Sequence, residues 1–325
     1  MDESLINILN SVVANATPLV IAGIGETITE RAGVTNLSLD GSLALAAMIG
    51  FVAALTTGSV ALGLIAAMIA GAVVALIVAL AGIELRQDQV AVGFVLTLLT
   101  ADLAQFLGQD YTRIPGPTLP YVPIPVLKDI PVVGEIFFNH EPLVYFSYFL
   151  IFVTWYVLFH TRTGLSLRAI GERPAAAFAR GTNVNRQRYL YTIIGGALVG
   201  LAGAAYSLAV KPGWSTPPVM RGDGWIALAI VIFGGWHPFR VVLGAYLFAG
   251  LRSLSSAIQR SPDIQIPLVL LNGLPWLLMI ITLVLVSSGA IERLLQIMPR
   301  PLQKAMRSVL RSDPPAALGT RFDEG

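Results

Sequence analysis

The sequence contains no cysteine and unusually few charged residues. Without cysteine, the 325-residue chain can form no disulfide, no thiolate nucleophile and no cysteine-ligated metal site. Only 12% of its residues are charged, against about 25% in a typical soluble domain. In contrast, 55% are hydrophobic and the mean hydropathy is +0.73. Because so few charges cannot cover a water-exposed surface, the composition predicts an integral membrane protein.

The sequence motifs of several enzyme classes are also missing. There is no phosphate-binding GxxxxGK[ST] stretch, no HExxH and no GxSxG, and the three histidines are scattered. Paired carboxylates within the membrane, which are typical of proton-coupled carriers, are not expected either. These absences disfavour an enzyme, and they predict that the chain binds no metal, no cofactor and no ATP of its own.

Long apolar segments dominate what is present. Runs of roughly 18–22 residues recur, the length that crosses a bilayer as a helix. The start, Met1–Asn10, is acidic and lacks the basic region of a cleavable signal, so the first run is predicted to be a permanent span. We predict an all-α polytopic bundle of about nine spans, with eight to ten allowed. They are Leu5–Ile24, Leu37–Leu55, Val60–Gly82, Gln89–Leu107, Leu143–Phe159, Tyr189–Val210, Trp225–Gly235, Val241–Ile258 and Pro267–Ser287.

The polar stretch Thr161–Arg188 predicts the orientation of the chain. It carries six arginines against one acid, Glu172, and such loops are retained in the cytoplasm. Alternation from this point places the N-terminus outside and the C-terminus inside. Fifteen lysines and arginines then fall in inside segments and five in outside segments, while Arg252 lies within a span. Its guanidinium is expected either to reach toward the membrane surface or to serve the pathway.

Three further segments stand out along the chain. The outside loop 108–142 holds seven prolines, which exclude helix, so it is either a stiff connector or a surface for an extracytoplasmic partner. Trp225–Gly235 is short and bounded by glycines, as in broken or re-entrant helices, unless it is a tilted span that continues further. The basic tail 291–325 is predicted to lie on inner-leaflet lipid, with disorder from Ser312 onward. Residues 1–290 form the membrane domain, and no nucleic-acid partner is expected.

Polar residues at or near membrane depth are the candidates for a substrate pathway. Aspartates near helix starts, such as Asp40 and Asp88, can equally be helix caps. Amide side chains can hydrogen-bond a sugar or a base, and tryptophan can stack on either. The candidates are Asn36, Asp40, Gln89, Thr97, Asp102, Gln105, Asp223, Trp225, Asn272 and Trp276. The small residues at 195–204 predict a face on which helices pack closely.

Four ordered stretches resemble the ABC importer permeases of the branched-chain amino acid, simple sugar and nucleoside group. One stretch begins with LRAIGERPAAAFARGTNV at 167–184, which is similar to their cytoplasmic coupling segment, and continues into GALVGLAGA at 196–204, which is similar to the following span. ERAGVTNLSLDG at 30–41 and GDGWIALAIVIFGGWHP at 222–238 resemble the nucleoside and sugar branch, as does the fourth span. Three positions depart from the pattern: Asp40 replaces Glu, Arg173 replaces Asn and Thr97 replaces Asn.

The resemblance implies a type II ABC importer-like fold and a set of partners. These are a second permease, identical or sibling, two cytoplasmic ATPase subunits that use ATP, and an extracytoplasmic substrate-binding lipoprotein at the plasma membrane. The substrate would be a nucleoside or a simple sugar. Gly171, Glu172, Pro174 and Ala175 would form one short helix in a cleft of the ATPase, with Pro174 at its first position. Arg168 and Gly181 flank this helix and complete the implied coupling site.

Two other classes of function remain open from the residues alone. A stand-alone secondary carrier or channel for a small polar solute would move substrate without an ATPase. A non-transporting membrane scaffold or enzyme would lack both an ATPase and a binding protein among its partners. Dependence of transport on an ATPase separates the importer from the carrier, and genes for a binding protein and an ATPase beside this one would argue against the scaffold or enzyme.

Overall fold

The computed structural model describes residues 3–260, 267–287 and 313–322, and this part of the chain is built from helices. The basic helix predicted within 291–311 lies outside the described residues. Twelve α-helices are described: α1 Glu3–Arg31, α2 Leu39–Thr57, α3 Val60–Ala79, α4 Gln89–Leu107, α5 Val133–Phe137, α6 Pro142–His160, α7 Arg162–Glu172, α8 Pro174–Ala179, α9 Val184–Ala205, α10 Asp223–Phe233, α11 Pro238–Arg260 and α12 Leu268–Ser287. Leu80–Glu84 and Tyr206–Val210 extend α3 and α9 as π-helical turns.

Each of the nine predicted apolar segments contains a helix. Seven helices in the described part are long and apolar enough to cross a bilayer, namely α1, α2, α3, α4, α6, α9 and α11. Of the other two segments, Pro267–Ser287 contains the 20-residue helix α12. The 11-residue helix α10 rises about 16 Å, well short of a hydrocarbon core of about 30 Å. The predicted broken helix is therefore confirmed at α10, whereas the count of nine spans stays a prediction.

Small residues allow the central helices to touch backbone to backbone. A β-carbon added at Gly71 of α3 would lie 2.2 Å from the carbonyl oxygen of Gly196 in α9. One added at Gly200 would lie 2.1 Å from the carbonyl oxygen of Ala67. The predicted small-residue face of α9 thus packs on α3, and the buried core lies where α1, α2, α3 and α9 meet.

Helix α1 is longer than predicted, and this corrects the expectation about carboxylates. It continues past Ile24 to Arg31, so that its 29 residues extend about 43 Å. Glu26 and Glu30 therefore lie one turn apart on the same helix and are 0% and 4% exposed. The prediction that paired carboxylates are absent from the spans is wrong.

The loop 108–142 is mostly non-helical, but the prediction that its prolines exclude helix is wrong for one part. Helix α5 forms between Pro131 and Pro142, where the loop has no proline. The loop packs back on the bundle, because the Leu119 amide donates to the Leu208 carbonyl at 2.8 Å and the Asn10 side chain to the Glu135 carbonyl at 2.6 Å. Both readings of this loop, connector and partner surface, remain predictions.

The end of the tail is ordered, contrary to expectation. Residues 313–322, called the C-terminal strap below, lie against the ends of α1 and α7. Pro315 and Ala317 are buried there, and Leu318 packs against the main core. The contacts of this strap are made largely by backbone groups, which composition does not reveal.

Candidate translocation pathway and coupling site

Two helices begin against each other inside the bundle. The carboxylate of Asp40, in the first turn of α2, accepts hydrogen bonds from the amides of Gly222 at 2.7 Å and Gly224 at 3.1 Å. Those amides lie at the start of α10, where free N–H groups and the helix dipole favour a negative charge. A β-carbon at Gly224 would lie 2.2 Å from the Asp40 nitrogen, so glycine is required for this approach. Asp40 thus caps α10 and not its own helix, which corrects that alternative.

The segment between α1 and α2 runs along α4. The Thr35 amide donates to the Gln89 side chain at 2.8 Å, and the Thr97 hydroxyl donates to the Leu37 carbonyl at 2.7 Å. Positions 89 and 97 are about 12 Å apart along a helix axis. The chain therefore passes between α4 and the core before α2 starts. Asn36 is buried in this segment, and its side-chain oxygen accepts from the Ser38 amide and hydroxyl.

One cavity, called the aromatic cavity below, lies between α2, α4 and α10. It has a volume of about 290 Å³. Phe94 and Trp225 contribute two rings whose centroids are 6.3 Å apart. Asp102 and Gln105 contribute polar groups from the next turns of α4. The cavity can therefore offer both stacking surfaces and hydrogen-bonding groups to a polar ligand.

A second, larger cavity of about 600 Å³ lies at the start of α10 and the end of α11. We call it the ion-pair cavity, because Asp223 and Arg252 line it and form a two-pronged salt bridge. The Arg252 Nη1 to Asp223 Oδ2 distance is 2.8 Å, and Asp223 is only 1% exposed. Arg252 therefore pairs with a buried acid, and the expectation that it reaches toward the membrane surface is wrong. Pro218 and Arg221 line both cavities.

The structure groups most of the predicted pathway residues. The aromatic cavity is lined by Asp40, Thr97, Asp102, Gln105 and Trp225. The ion-pair cavity is lined by Asp223 and Trp276. Asn36 and Gln89 are bonded to backbone groups and line neither of these cavities, and the side chain of Asn272 lies outside the described residues. Asp88 caps α4 by accepting from the Ala91 amide at 2.8 Å. That any of these residues meets substrate stays a prediction.

The coupling stretch folds as two helices and not as the single short helix expected. Gly171 and Glu172 end α7, and Pro174 and Ala175 begin α8, with Arg173 between the helices. Pro174 occupies the first position of its helix as predicted. Gly181 has a φ of +82°, and the Gly181 and Thr182 amides bond the Phe178 and Ala177 carbonyls, which is a Schellman ending. Ala175 is exposed, whereas Arg168 covers the ring of Phe159 at 5.2 Å.

The end of α7 rests on the end of α1. A β-carbon at Gly171 would lie 2.1 Å from the Arg31 carbonyl oxygen, so the two backbones are in contact. The Arg31 guanidinium lies 3.9 Å from the Glu172 carboxylate and donates to the Trp236 carbonyl. The nearby His237 ring has a lowered pKa, first because of burial and then because of the Arg240 and Arg31 charges. Arg31 thus joins α1 to both α7 and the loop after α10.

Several buried polar residues were missed by sequence reasoning. Glu30 accepts a hydrogen bond from the Trp236 indole, and Glu26 has no hydrogen-bond partner among the described residues. Arg188 is 1% exposed, although it was counted as part of a basic loop. Their burial had one indication in the sequence: Glu26 and Glu30 are four residues apart, on one face of a helix, just beyond the segment assigned to the first span.

Comparison with known proteins is consistent with this arrangement. Residues 8–286 match the sequence profile of the branched-chain amino acid transport system permease component family. Nucleoside ABC transporter permease protein NupC of Lactococcus lactis is 35% identical, covering 89% of this chain and 96% of its own. Guanosine ABC transporter permease protein NupQ of Bacillus subtilis is 36% identical, covering 85% and 90%. A Haloferax volcanii protein with the provisional name glucose ABC transporter permease protein TsgC13 is 38% identical, covering 79% and 80%.

Profile and relatives cover most of the chain, and they include the stretches that form the two cavities and the paired helices α7 and α8. A membrane bundle with polar cavities and an exposed short helix also fits a permease that is driven by a separate subunit. The chain belongs to the branched-chain amino acid transport system permease family and is a permease subunit of an ABC importer.

Proposed function

We propose that this chain forms the translocation pathway for a nucleoside, and that the aromatic cavity receives it. The observation that carries the proposal is the pair of rings, Phe94 and Trp225, in one cavity with Asp102 and Gln105. Aromatic faces stack on bases, and carboxylate and amide groups hydrogen-bond ribose hydroxyls and base edges. Two of the relatives above are named for nucleoside and guanosine transport. A simple sugar is the second candidate, supported by the Haloferax relative and by the same stacking chemistry.

The energy for import would come from separate subunits. Two cytoplasmic ATPases would bind ATP, and the exposed start of α8 at Pro174 and Ala175 would sit in a cleft of one of them. Closure of the ATPases would push α8 and, through Gly171 and Arg31, the end of α1. This motion would shift the population between inward-facing and outward-facing states.

The orientation of the chain in the membrane decides which side each remaining partner would occupy. We place the chain in the plasma membrane, with its N-terminus outside and its C-terminus in the cytoplasm. A second permease, the same chain or a sibling, would complete the pathway, and a binding protein would deliver substrate to the outside loop 108–142. The proline-rich backbone of that loop, held to the bundle at Leu119, supports a fixed docking surface.

Uptake assays with matched phenylalanine variants test the proposed pathway. Cells that carry the chain and its partners would be given labelled nucleosides or glucose. Phe94→Ala removes a ring from the cavity, and Phe106→Ala removes one from the same helix where it is 69% exposed and does not line the aromatic cavity. Base stacking contributes about 1–3 kcal/mol, so Phe94→Ala should raise KM for the nucleoside roughly 5- to 100-fold, while Phe106→Ala should not.

Other outcomes of that assay would decide against parts of the proposal. Uptake of glucose but of no nucleoside would make the sugar the substrate. An unchanged KM for Phe94→Ala would remove the aromatic cavity from the pathway. The ATPase partner is tested separately by co-purification with the tagged chain: Gly171→Arg should lose the ATPase or lose transport. Transport by the chain alone in liposomes would contradict the ATP-driven mechanism.

A further inference from the structure

The C-terminal strap contacts four cytoplasmic-side elements at once. The Ala317 amide donates to the Gly171 carbonyl at the end of α7 at 2.8 Å, and the Gly319 amide donates to the Gly33 carbonyl after α1 at 3.0 Å. Arg188 in the first turns of α9 donates to the Thr320 carbonyl at 2.8 Å. The ring of Phe322 packs on Phe178 of α8, with centroids 5.7 Å apart. The strap therefore links the ends of α1, α7, α8 and α9.

The strap donates hydrogen bonds to groups at the end of α7 that have no partner within the helix. The last carbonyls of a helix have no partner within that helix, and the strap supplies an amide to one of them at Gly171. The Glu172 carboxylate, on the next residue, accepts from the Ala316 amide at 3.3 Å. The strap thus caps α7 just before Arg173, the residue at which the chain turns into α8. This cap fixes the angle between the two helices.

Arg188 provides an independent reason for the strap to remain docked. Its side chain is 1% exposed, and burial of a guanidinium is costly unless it is hydrogen-bonded. The Thr320 carbonyl supplies a hydrogen bond, and Gly33 leaves room for the guanidinium, since a β-carbon there would lie 2.9 Å from Arg188 Nη2. Removal of the strap would take away this hydrogen bond and uncover the charge.

We propose that the C-terminal strap is a positioning element that transmits the motion of α8 to α1 and α9. The proposal rests on the proposed coupling of α8 to an ATPase. Without the strap, α8 would be held on α7 by Arg173 and by Ala177, which shares an apolar cluster with Leu167 and Ile170 of α7. It would lose the Phe322 ring that packs on Phe178, and with it the link from α8 to the ends of α1 and α9 that the strap provides. With the strap, the Phe322–Phe178, Ala317–Gly171 and Thr320–Arg188 contacts make the four helix ends move as one body. ATP hydrolysis is then coupled to the transport step.

The test compares strap variants in the complex that co-purifies with the tagged full-length chain. One variant ends after Ser312, and a second, Ala317→Pro, removes the amide that donates to Gly171. The matched control is Arg321→Ala, on an exposed residue of the same segment. Three quantities are measured in proteoliposomes: the amount of bound ATPase, the rate of ATP hydrolysis, and the solute moved per ATP.

Both strap variants are expected to keep the ATPase and to hydrolyse ATP, while solute moved per ATP falls at least roughly tenfold, the effect of losing one or two buried hydrogen bonds. Arg321→Ala should match the wild type. Wild-type transport per ATP in the strap variants would overturn the proposal, and so would loss of the ATPase from them, which would place the strap in docking. Failure of the wild-type chain to bind any ATPase would instead refute the proposed function itself.

A cysteine pair keeps the test valid should the strap variants fail to fold. The chain has no cysteine, so Phe178→Cys with Phe322→Cys allows a cross-link only between the strap and α8, and its formation is verified by mass spectrometry before transport is measured. If these elements move as one body, the oxidised protein should move at least as much solute per ATP as the same protein after reduction, which lacks the Phe322–Phe178 contact. Transport that stops on oxidation and returns on reduction would show that the strap must detach, and it would overturn the proposal.

Discussion

The buried carboxylate of Asp223 is balanced by a cation that the fold brings to it. Asp223 is 1% exposed at the start of α10, and Arg252 reaches it from α11, 29 residues later in the chain. Attraction between the two groups is strong at this depth because the surroundings screen it poorly. The pair therefore ties the short helix α10 to α11 at the wall of the ion-pair cavity.

Breaking this pair from one side should be costly. Arg252→Met would leave the Asp223 carboxylate buried without its cation, and loss of one partner of a buried pair costs about 3–5 kcal/mol. We expect a clear fall in the thermal unfolding midpoint of the detergent-purified protein. The double variant Arg252→Met with Asp223→Asn should recover most of the loss, since no unpaired charge remains. Equal midpoints for the single and double variants would show that the pair contributes little.

At the scale of single residues, the sequence identified which polar side chains lie at membrane depth but not which groups they bond. Asp40 was predicted to be either a pathway residue or a cap of its own helix. It caps α10, more than 180 positions away in the chain, and not its own helix. Its role in the pathway stays a prediction. Such a contact depends on where two helices begin in space, which local sequence does not encode.

At the scale of elements, helix packing depends on positions where no side chain fits. Gly200 of α9 lies against the Ala67 backbone of α3, and Gly71 of α3 lies against Gly196. In a bilayer, helices gain little from hydrophobic burial against each other, so close backbone approach and dispersion contribute much of the association. The glycine pattern of α9 predicted such a face, and the structure identifies α3 as the helix that it meets.

A single methyl group should be enough to disturb this contact. Gly200→Ala would place its β-carbon 2.1 Å from a carbonyl oxygen, and overpacking of this kind costs about 1–3 kcal/mol. The matched control is Gly250→Ala in α11, where nothing lies within 4 Å of the added carbon. That variant should be neutral or slightly stabilising, because alanine favours helix over glycine by up to about 1 kcal/mol. Thermal unfolding midpoints that shift equally in the two variants would contradict this packing.

The coupling stretch forms two helices, α7 and α8, where one short helix was expected. The family resemblance implied one short helix there, but Arg173 separates α7 from α8. Residue preferences favour this break, because the residue before a proline is biased away from helical backbone. The rule was available from the sequence, but the contact of Gly171 with Arg31 that holds α7 in place was not.

At the scale of the whole molecule, the absence of cysteine makes the orientation directly testable. Val126→Cys lies in the loop 108–142, proposed to face outside, where Val126 is 78% exposed, and Ala175→Cys lies at the exposed start of α8. In intact cells, a membrane-impermeant maleimide should label the first variant, and it should label the second only after the membrane is opened. The unmodified chain provides a background without labelling. The reverse pattern would invert the proposed topology.

The sequence by itself determined that the chain is a membrane-embedded helical bundle, where its apolar segments lie, and the family to which it belongs. These properties follow from composition and local pattern, since about 20 apolar residues in a row have no stable place in water. The tertiary structure alone decided that Asp40 caps α10, that Arg252 pairs with Asp223, that Glu26 and Glu30 are buried, and that the strap docks on α7. The cap, the ion pair and the strap join residues far apart in the chain through backbone groups or buried charges, and the burial of the two glutamates depends on which helices surround them. The free energy of all four arrangements therefore depends on three-dimensional position.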